Sequence, residues 1–159
     1  HVVERIGLTT SAAGVVTLFY GSGFGIAAFL DKYLDRLPAR RATVVGFAGL
    51  TVVYVTMGLA AASYATLLAV AFCWGIFQHF ALNTVVGRLT ALEPTQRGAI
   101  MGLNSAVTYL CVMGGSLFFR LPYEAGGLRA CVAYSALFAI IATIESLWPE
   151  KIRTFPSAG

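Results

Sequence analysis

Charge is scarce in this sequence. Only 11% of its 159 residues are Asp, Glu, Lys or Arg, where soluble domains carry about 25%. Mean hydropathy is +0.78. That shortage excludes an ordinary water-facing domain, so length bounds membrane crossings rather than soluble units. At ~20 residues per crossing the chain holds at most about six or seven spans. Cysteine is scarce as well: Cys73, Cys111 and Cys131 each sit inside an apolar run, with no CxxC or Cys/His spacing. They read as small packing residues, and no disulfide framework, metal site or cofactor is expected. Segments of ~10 residues with alternating polarity are missing, which excludes a strand-built barrel. "HVVERIGLTT" has no basic region leading into a short apolar core, so no cleavable signal peptide is read there. The net charge of +4 is not a nucleic-acid signal. No Lys/Arg-rich face is free of flanking apolar runs, so the excess is assigned to the cytoplasm or to anionic lipid headgroups.

What the sequence does hold is five long apolar stretches without Lys, Arg or Asp, at about 10–30, 42–63, 65–87, 98–119 and 130–148. Each reaches about 30 Å as a helix, enough to cross the hydrocarbon core, and helices alone satisfy their backbone within one segment there. The expected fold is therefore all-α, a polytopic membrane bundle of five transmembrane helices. The connections are short: "DKYLDRLPARR", little more than Ser63-Tyr64, "RLTALEPTQR" and "RLPYEAGGLR".

The cations set the direction. Lys32, Arg36, Arg40, Arg41, Arg88, Arg97, Lys151 and Arg153 fall on one side, and Arg5, Arg120 and Arg129 on the other. Positive residues collect inside, so the first group and the C-terminus are expected in the cytoplasm, in a cell (inner) membrane. An odd number of spans places His1 outside, and the chain does not open with Met. The expectation is a single helical domain that is a piece of a longer polytopic protein.

In "LDRLPARR", Asp35, Arg36, Arg40 and Arg41 stand where a known loop motif, roughly G-x-L-A-D-R-x-G-R-R, has its later residues. Pro38 replaces a glycine of that motif, and Asp31 stands where its leading glycine belongs. "EPTQRGAIMGLNSAV" and "VMGGSLFF" agree with a loop and a glycine-rich helix further along the same family. On these residues the chain resembles the major facilitator superfamily of secondary transporters, in the manner of bacterial drug or sugar efflux permeases. The degenerate motif, and the lack of an early arginine in "LLAVAFCWGIFQ", fit helices eight to twelve of such a protein. The resemblance implies a small-molecule solute moved by alternating access, the antiport or efflux of an ion-coupled exporter, and an N-terminal helical half as partner. It also implies that Asp31, Asp35, Arg36, Arg40, Arg41 and Arg97 belong to a gating latch.

With charges confined to loops, polar residues within spans are the candidates for a substrate or proton pathway. Gln78, His79 and Asn83 lie in the third stretch, and His79 and Asn83 are four apart on one helix face. An imidazole is the side chain there suited to carry a proton near neutral pH, and left facing lipid an ionisable group costs on the order of 2–3 kcal/mol or more. Asn104, Thr108 and Tyr109 offer a second polar strip in the fourth stretch, at a depth that permits a shared lining. Gly21 and Gly25 form a GxxxG pair expected to bring a helix close. Glu145 lies near the cytoplasmic end of the last span, and Tyr33, Tyr123 and Trp148 stand at boundaries where interfacial aromatics anchor.

Two other readings are open. One is a membrane scaffold or assembly subunit that transports nothing. The other is an intramembrane serine protease using Ser22 and His79, although Tyr20 occupies the position where that chemistry's G-x-S-G pattern wants a glycine. Otherwise no enzymatic activity is expected.

Overall fold

The computed structural model describes residues 7, 9–60 and 63–148. Arg5, Lys151 and Arg153, used above for direction, lie outside the described residues, as do both chain ends. Among the described residues every regular element is helical. The chain runs α1 (Thr10–Leu34), α2 (Ala39–Ala60), α3 (Tyr64–Leu92), a 3-10 turn (Pro94–Gln96), α4 (Arg97–Phe118) and α5 (Arg120–Leu147). All five long helices are long and apolar enough to cross a membrane.

The helices outrun the apolar stretches. Asp31 and Lys32 lie in the last turns of α1, Arg40 and Arg41 in the first turn of α2, and Arg88 within α3. A charge-free run measures the hydrocarbon crossing. The helix itself stops only where its backbone finds another partner. α1 starts at Thr9, whose side chain accepts from the Ala12 N–H at 3.4 Å. α2 starts after Pro38, whose carbonyl accepts from Ala42 at 3.1 Å and whose fixed φ suits a helix entry. "RLPYEAGGLR", expected as a loop, is helical except at Gly127, where φ is 61° and ψ −149°. That conformation is nearly exclusive to glycine, and it kinks the entry into α5.

Contacts fix the directions. α1 and α3 run parallel, joined by the Tyr64 hydroxyl donating to the Ala12 carbonyl at 2.9 Å and lower down by Gly75 against Tyr20 and Phe24. α2 runs antiparallel to α3, with Gly46 on Ala81 and Gly49 on the Phe77 ring. α2 also packs antiparallel on α5, with Gly58 near Val132. The order across the bundle is therefore α1, α3, α2, α5. α4 touches α3 and α5 only slightly and buries no residue.

The core is thin and made largely of small or branched residues: Ala27 and Ala71 are fully buried, with Val53, Met57, Leu67, Val70 and Val132 around one cluster and Leu50, Ala81 and Ala139 in another. Large side chains such as Phe29, Leu103, Leu110 and Leu117 face outward. A soluble domain could not present so much apolar surface to water. Lipid tails accept it, and small residues then let helix backbones approach. Hydroxyls inside the spans are satisfied locally: Thr43, Thr51, Thr56 and Thr143 each donate to a carbonyl one turn back, which removes a polar cost in hydrocarbon.

Candidate functional site

The site grows from the α1/α3 contact. On α1, Tyr20, Gly23, Phe24, Ala27, Asp31 and Leu34 recur at three- and four-residue steps, so they share one stripe. Gly23, Ala27 and Leu34 of that stripe are buried. On α3 the facing stripe is Tyr64, Ala71, Gly75 and His79. A Cβ on Gly23 would collide with the Phe72 carbonyl, and one on Gly75 with the Tyr20 carbonyl. The backbones touch there because neither residue has a side chain. Gly21 and Gly25, expected to make the close approach, face open space. They lie on the other side of α1, since G-x-G-x-G offers glycine to both faces and only the partner selects one.

One end of this contact carries the ionisable pair. His79 Nε2 lies 2.9 Å from Asp31 Oδ2, with side chains 15% and 22% exposed. The imidazole stands edge-on against the Phe24 ring, centroids 4.7 Å apart at 82°, which fixes its plane. Among the described residues the other polar atoms of the pair, His79 Nδ1 and Asp31 Oδ1, are buried without a hydrogen-bonding partner. Further along the same contact, Trp74 lies against Tyr20 at 4.7 Å and Tyr54 at 6.2 Å, joining α1, α3 and α2.

Two clefts open at the end of α3 that faces the α1/α2 turn. The smaller, about 210 Å³, is lined by Leu34, Asp35, Ala42, Asn83 and Arg88 among others. The larger, about 540 Å³, includes Arg40, Arg88, Leu92 and Glu145. Arg40 Nε donates to the Ser146 carbonyl at 3.0 Å. It thereby satisfies a backbone acceptor in the last turn of α5 and sets a cation against the negative end of that helix.

The candidates of the sequence thus separate. Asp31 lies in the last turns of α1 and not in the loop, and it is joined to His79. Gln78 is half-buried beside it in sequence, and Asn83 lines the smaller cleft. Asp35, Arg36, Arg41 and Arg97 are exposed. Arg36 and Lys32 stand over the Tyr33 ring at 5.6 and 5.0 Å, an interfacial cation–aromatic group. Asn104 is half-buried, while Thr108 and Tyr109 are exposed. The Thr108 hydroxyl donates to the Asn104 carbonyl at 2.8 Å, and no described contact joins this strip to His79. Ser22 and His79 form no dyad: the Ser22 hydroxyl donates to the Leu18 carbonyl at 2.8 Å, and Nε2 of His79 is engaged by Asp31. Asp31 is the first charge after an apolar run, a position that reads from sequence as the end of the span although α1 continues through it. Its place in the Gly23–Ala27–Leu34 stripe was the signal.

Comparison with known proteins agrees with this architecture. The sequence model of the Major Facilitator Superfamily matches residues 1–153. The uncharacterized MFS-type transporter YwfA of Bacillus subtilis (strain 168) is 26% identical over 141 residues, covering 89% of this chain and 34% of the relative. The chain thus spans about a third of the length of that curated relative. No solved structure matches it.

Proposed function

Because this chain belongs to the Major Facilitator Superfamily, we propose that it forms part of a secondary transporter that exports a small solute by ion-coupled alternating access. Membrane transport in general is supported by the family match and by the MFS-type relative. The coupled mechanism rests on one observation, the His79–Asp31 pair between two spans. Ionisable residues paired between two spans and largely out of water are candidates for an ion or substrate path, and an imidazole is a side chain able to carry a proton. Efflux as the direction is taken from the resemblance of the chain to bacterial drug or sugar efflux permeases. The clustered cations favour a cytoplasmic location for the α1/α2 turn and for the C-terminus, in the cell membrane.

In this reading Gln78, His79, Asn83 and Asn104 belong to the solute and proton pathway, with Thr108 and Tyr109 of α4 facing the rest of the protein. Asp35, Arg36, Arg41 and Arg97 form the exposed gating group at the cytoplasmic rim, where contacts made in one state and released in the other accompany rocking of helical bundles. Arg40 braces α5 and is not free to switch partners without releasing Ser146.

The test uses the full-length protein in liposomes loaded with a pH-sensitive dye. Adding a transported solute from a panel should move protons, and an imposed pH gradient should drive that solute uphill. His79→Gln and Asp31→Asn should each uncouple the two movements. Uphill flux that ignores the pH gradient and survives both substitutions would remove proton coupling from the proposal.

A further inference from the structure

The larger cleft has walls of both signs of charge. α2 brings Arg40 from its first turn, α3 brings Arg88, and α5 brings Glu145 from its last turn. Arg40 gives its Nε–H to the Ser146 carbonyl at 3.0 Å, which uses one of the five donors of a guanidinium. Ala39 and Arg40 also line the cleft with the first turn of α2, so the N-terminal end of that helix dipole adds to the positive side. Two guanidiniums against one carboxylate leave the cleft with one unit of positive charge.

Between the charges the lining is apolar. Val85, Leu89 and Leu92 continue a strip of α3 that begins at Leu82, at steps of three, four and three residues. Leu82 and Leu92 are 45% and 74% exposed, so the strip runs from the outer surface of the span into the cleft. The cleft itself lies at the membrane boundary. Its walls are ends of three spans, and the exposed Trp148 follows α5 three residues after Glu145, an aromatic at headgroup level. A soluble anion would meet the charges and leave the strip uncovered. A fatty chain alone would do the reverse.

We propose that this cleft binds one membrane phospholipid. Its phosphodiester sits on Arg40 and Arg88, one acyl chain follows the Leu82–Leu92 strip, and an N–H or O–H of its headgroup donates to Glu145. A phosphodiester carries a single negative charge, which matches the charge of the cleft. Basic pockets between the cytoplasmic ends of membrane helices take lipid headgroups on the same grounds, and about 540 Å³ is ample for a small ligand. The carboxylate adds a second condition, that the headgroup bring its own donor. Phosphatidylethanolamine and phosphatidylglycerol meet it, and phosphatidylcholine does not. The bound lipid ties α2, α3 and α5 together at one end. The site depends on membrane embedding and not on ion-coupled transport.

Gly87 gives a way to close the cleft. It belongs to the lining, and a Cβ added there meets nothing within 4 Å. A larger side chain at this position takes up cleft volume and leaves every charge in place.

The experiment uses the full-length protein in detergent micelles, offered one lipid at a time, with native mass spectrometry counting the lipids retained. We expect one phosphatidylethanolamine or phosphatidylglycerol held about tenfold more tightly than phosphatidylcholine, the effect of one charge-assisted hydrogen bond. Gly87→Leu and Arg40→Gln should each weaken that lipid about tenfold. Glu145→Leu should erase the preference over phosphatidylcholine. Because Gly87→Leu keeps all charges, it decides the matter even where Arg40→Gln is poorly folded. Equal retention of the three lipids by wild type, or retention unchanged in Gly87→Leu, would overturn the site. Soluble glycerol phosphate bound as tightly as whole lipid would overturn the assignment to a membrane lipid.

Discussion

Arg40, in the first turn of α2, donates through Nε to the carbonyl of Ser146 in the last turn of α5, 3.0 Å away and 106 residues distant in sequence. Antiparallel packing of α2 on α5 brings the two ends together at the side of the larger cleft. A charged donor on a helix C-terminal carbonyl contributes about 1 kcal/mol when partly exposed. Arg40→Ala should lower the thermal stability of the detergent-solubilised protein by that order. Arg41→Ala, on an exposed side chain beside it, should stay within about 0.5 kcal/mol of wild type. Equal losses from the two would show that the Ser146 contact adds nothing.

The α1/α3 contact makes a sharper contrast between neighbours. Gly23→Ala and Gly75→Ala each place a methyl group against backbone atoms of the facing helix, so the helices must move apart. Overpacking of this kind costs about 1–3 kcal/mol. Gly21→Ala and Gly25→Ala meet open space and should be neutral or stabilise α1 by up to about 1 kcal/mol through helix propensity. Disulfide cross-linking yield between cysteines placed on α1 and α3, measured for all four variants, separates the two pairs.

Much of the fold was legible because hydrocarbon imposes a strong constraint: uncharged runs near 20 residues long can only be helices. Five runs gave five helices, in the order expected. The helix ends were not legible, since Asp31, Arg40 and Arg88 are tolerated in terminal turns that extend past the apolar layer. Which faces meet was not legible either. The choice of Gly23 over Gly21 depends on where Phe72 and Gly75 lie, and those positions depend on all the helices together. The pairing of His79 with Asp31 sits at the junction of both gaps. Recognising it needs α1 to continue past its first charge and α3 to lie parallel beside it. The slight contact of α4 with the remaining helices was likewise invisible, because its apolar pattern reads like that of the others.

Between α3 and α4 the chain turns on Glu93, whose Oε1 accepts from the Thr95 hydroxyl at 2.6 Å and the Thr95 N–H at 3.3 Å. The hydroxyl bond and then the backbone bond hold the Glu93 carboxyl below its usual range. A carboxylate with a depressed folded pKa supports its local structure above the unfolded value and loses that support as pH falls through the folded value. The turn should therefore be unchanged at neutral pH and loosen only in acid below the ordinary glutamate range. Amide hydrogen exchange at Thr95, corrected for its intrinsic pH dependence, should accelerate there in wild type. Glu93→Ala should be fast throughout.

The His79–Asp31 pair allows its packing role to be separated from any role in coupling. Removing either partner leaves the other with a half-buried polar group and no mate, while removing both with similar shapes leaves neither. Polar contacts between membrane helices are worth about 0.6–2 kcal/mol. A double-mutant cycle of His79→Gln, Asp31→Asn and the combination should therefore show a coupling energy of about 1–2 kcal/mol in thermal or steric-trap unfolding. If the pair only packed, the double variant would recover stability and also the pH profile of transport. If it carries the coupling proton, the double variant recovers stability yet stays uncoupled, because Gln and Asn restore hydrogen bonds without a titratable group. Stability and pH profile measured on the same preparation thus decide the question, and we expect recovery of the first without the second.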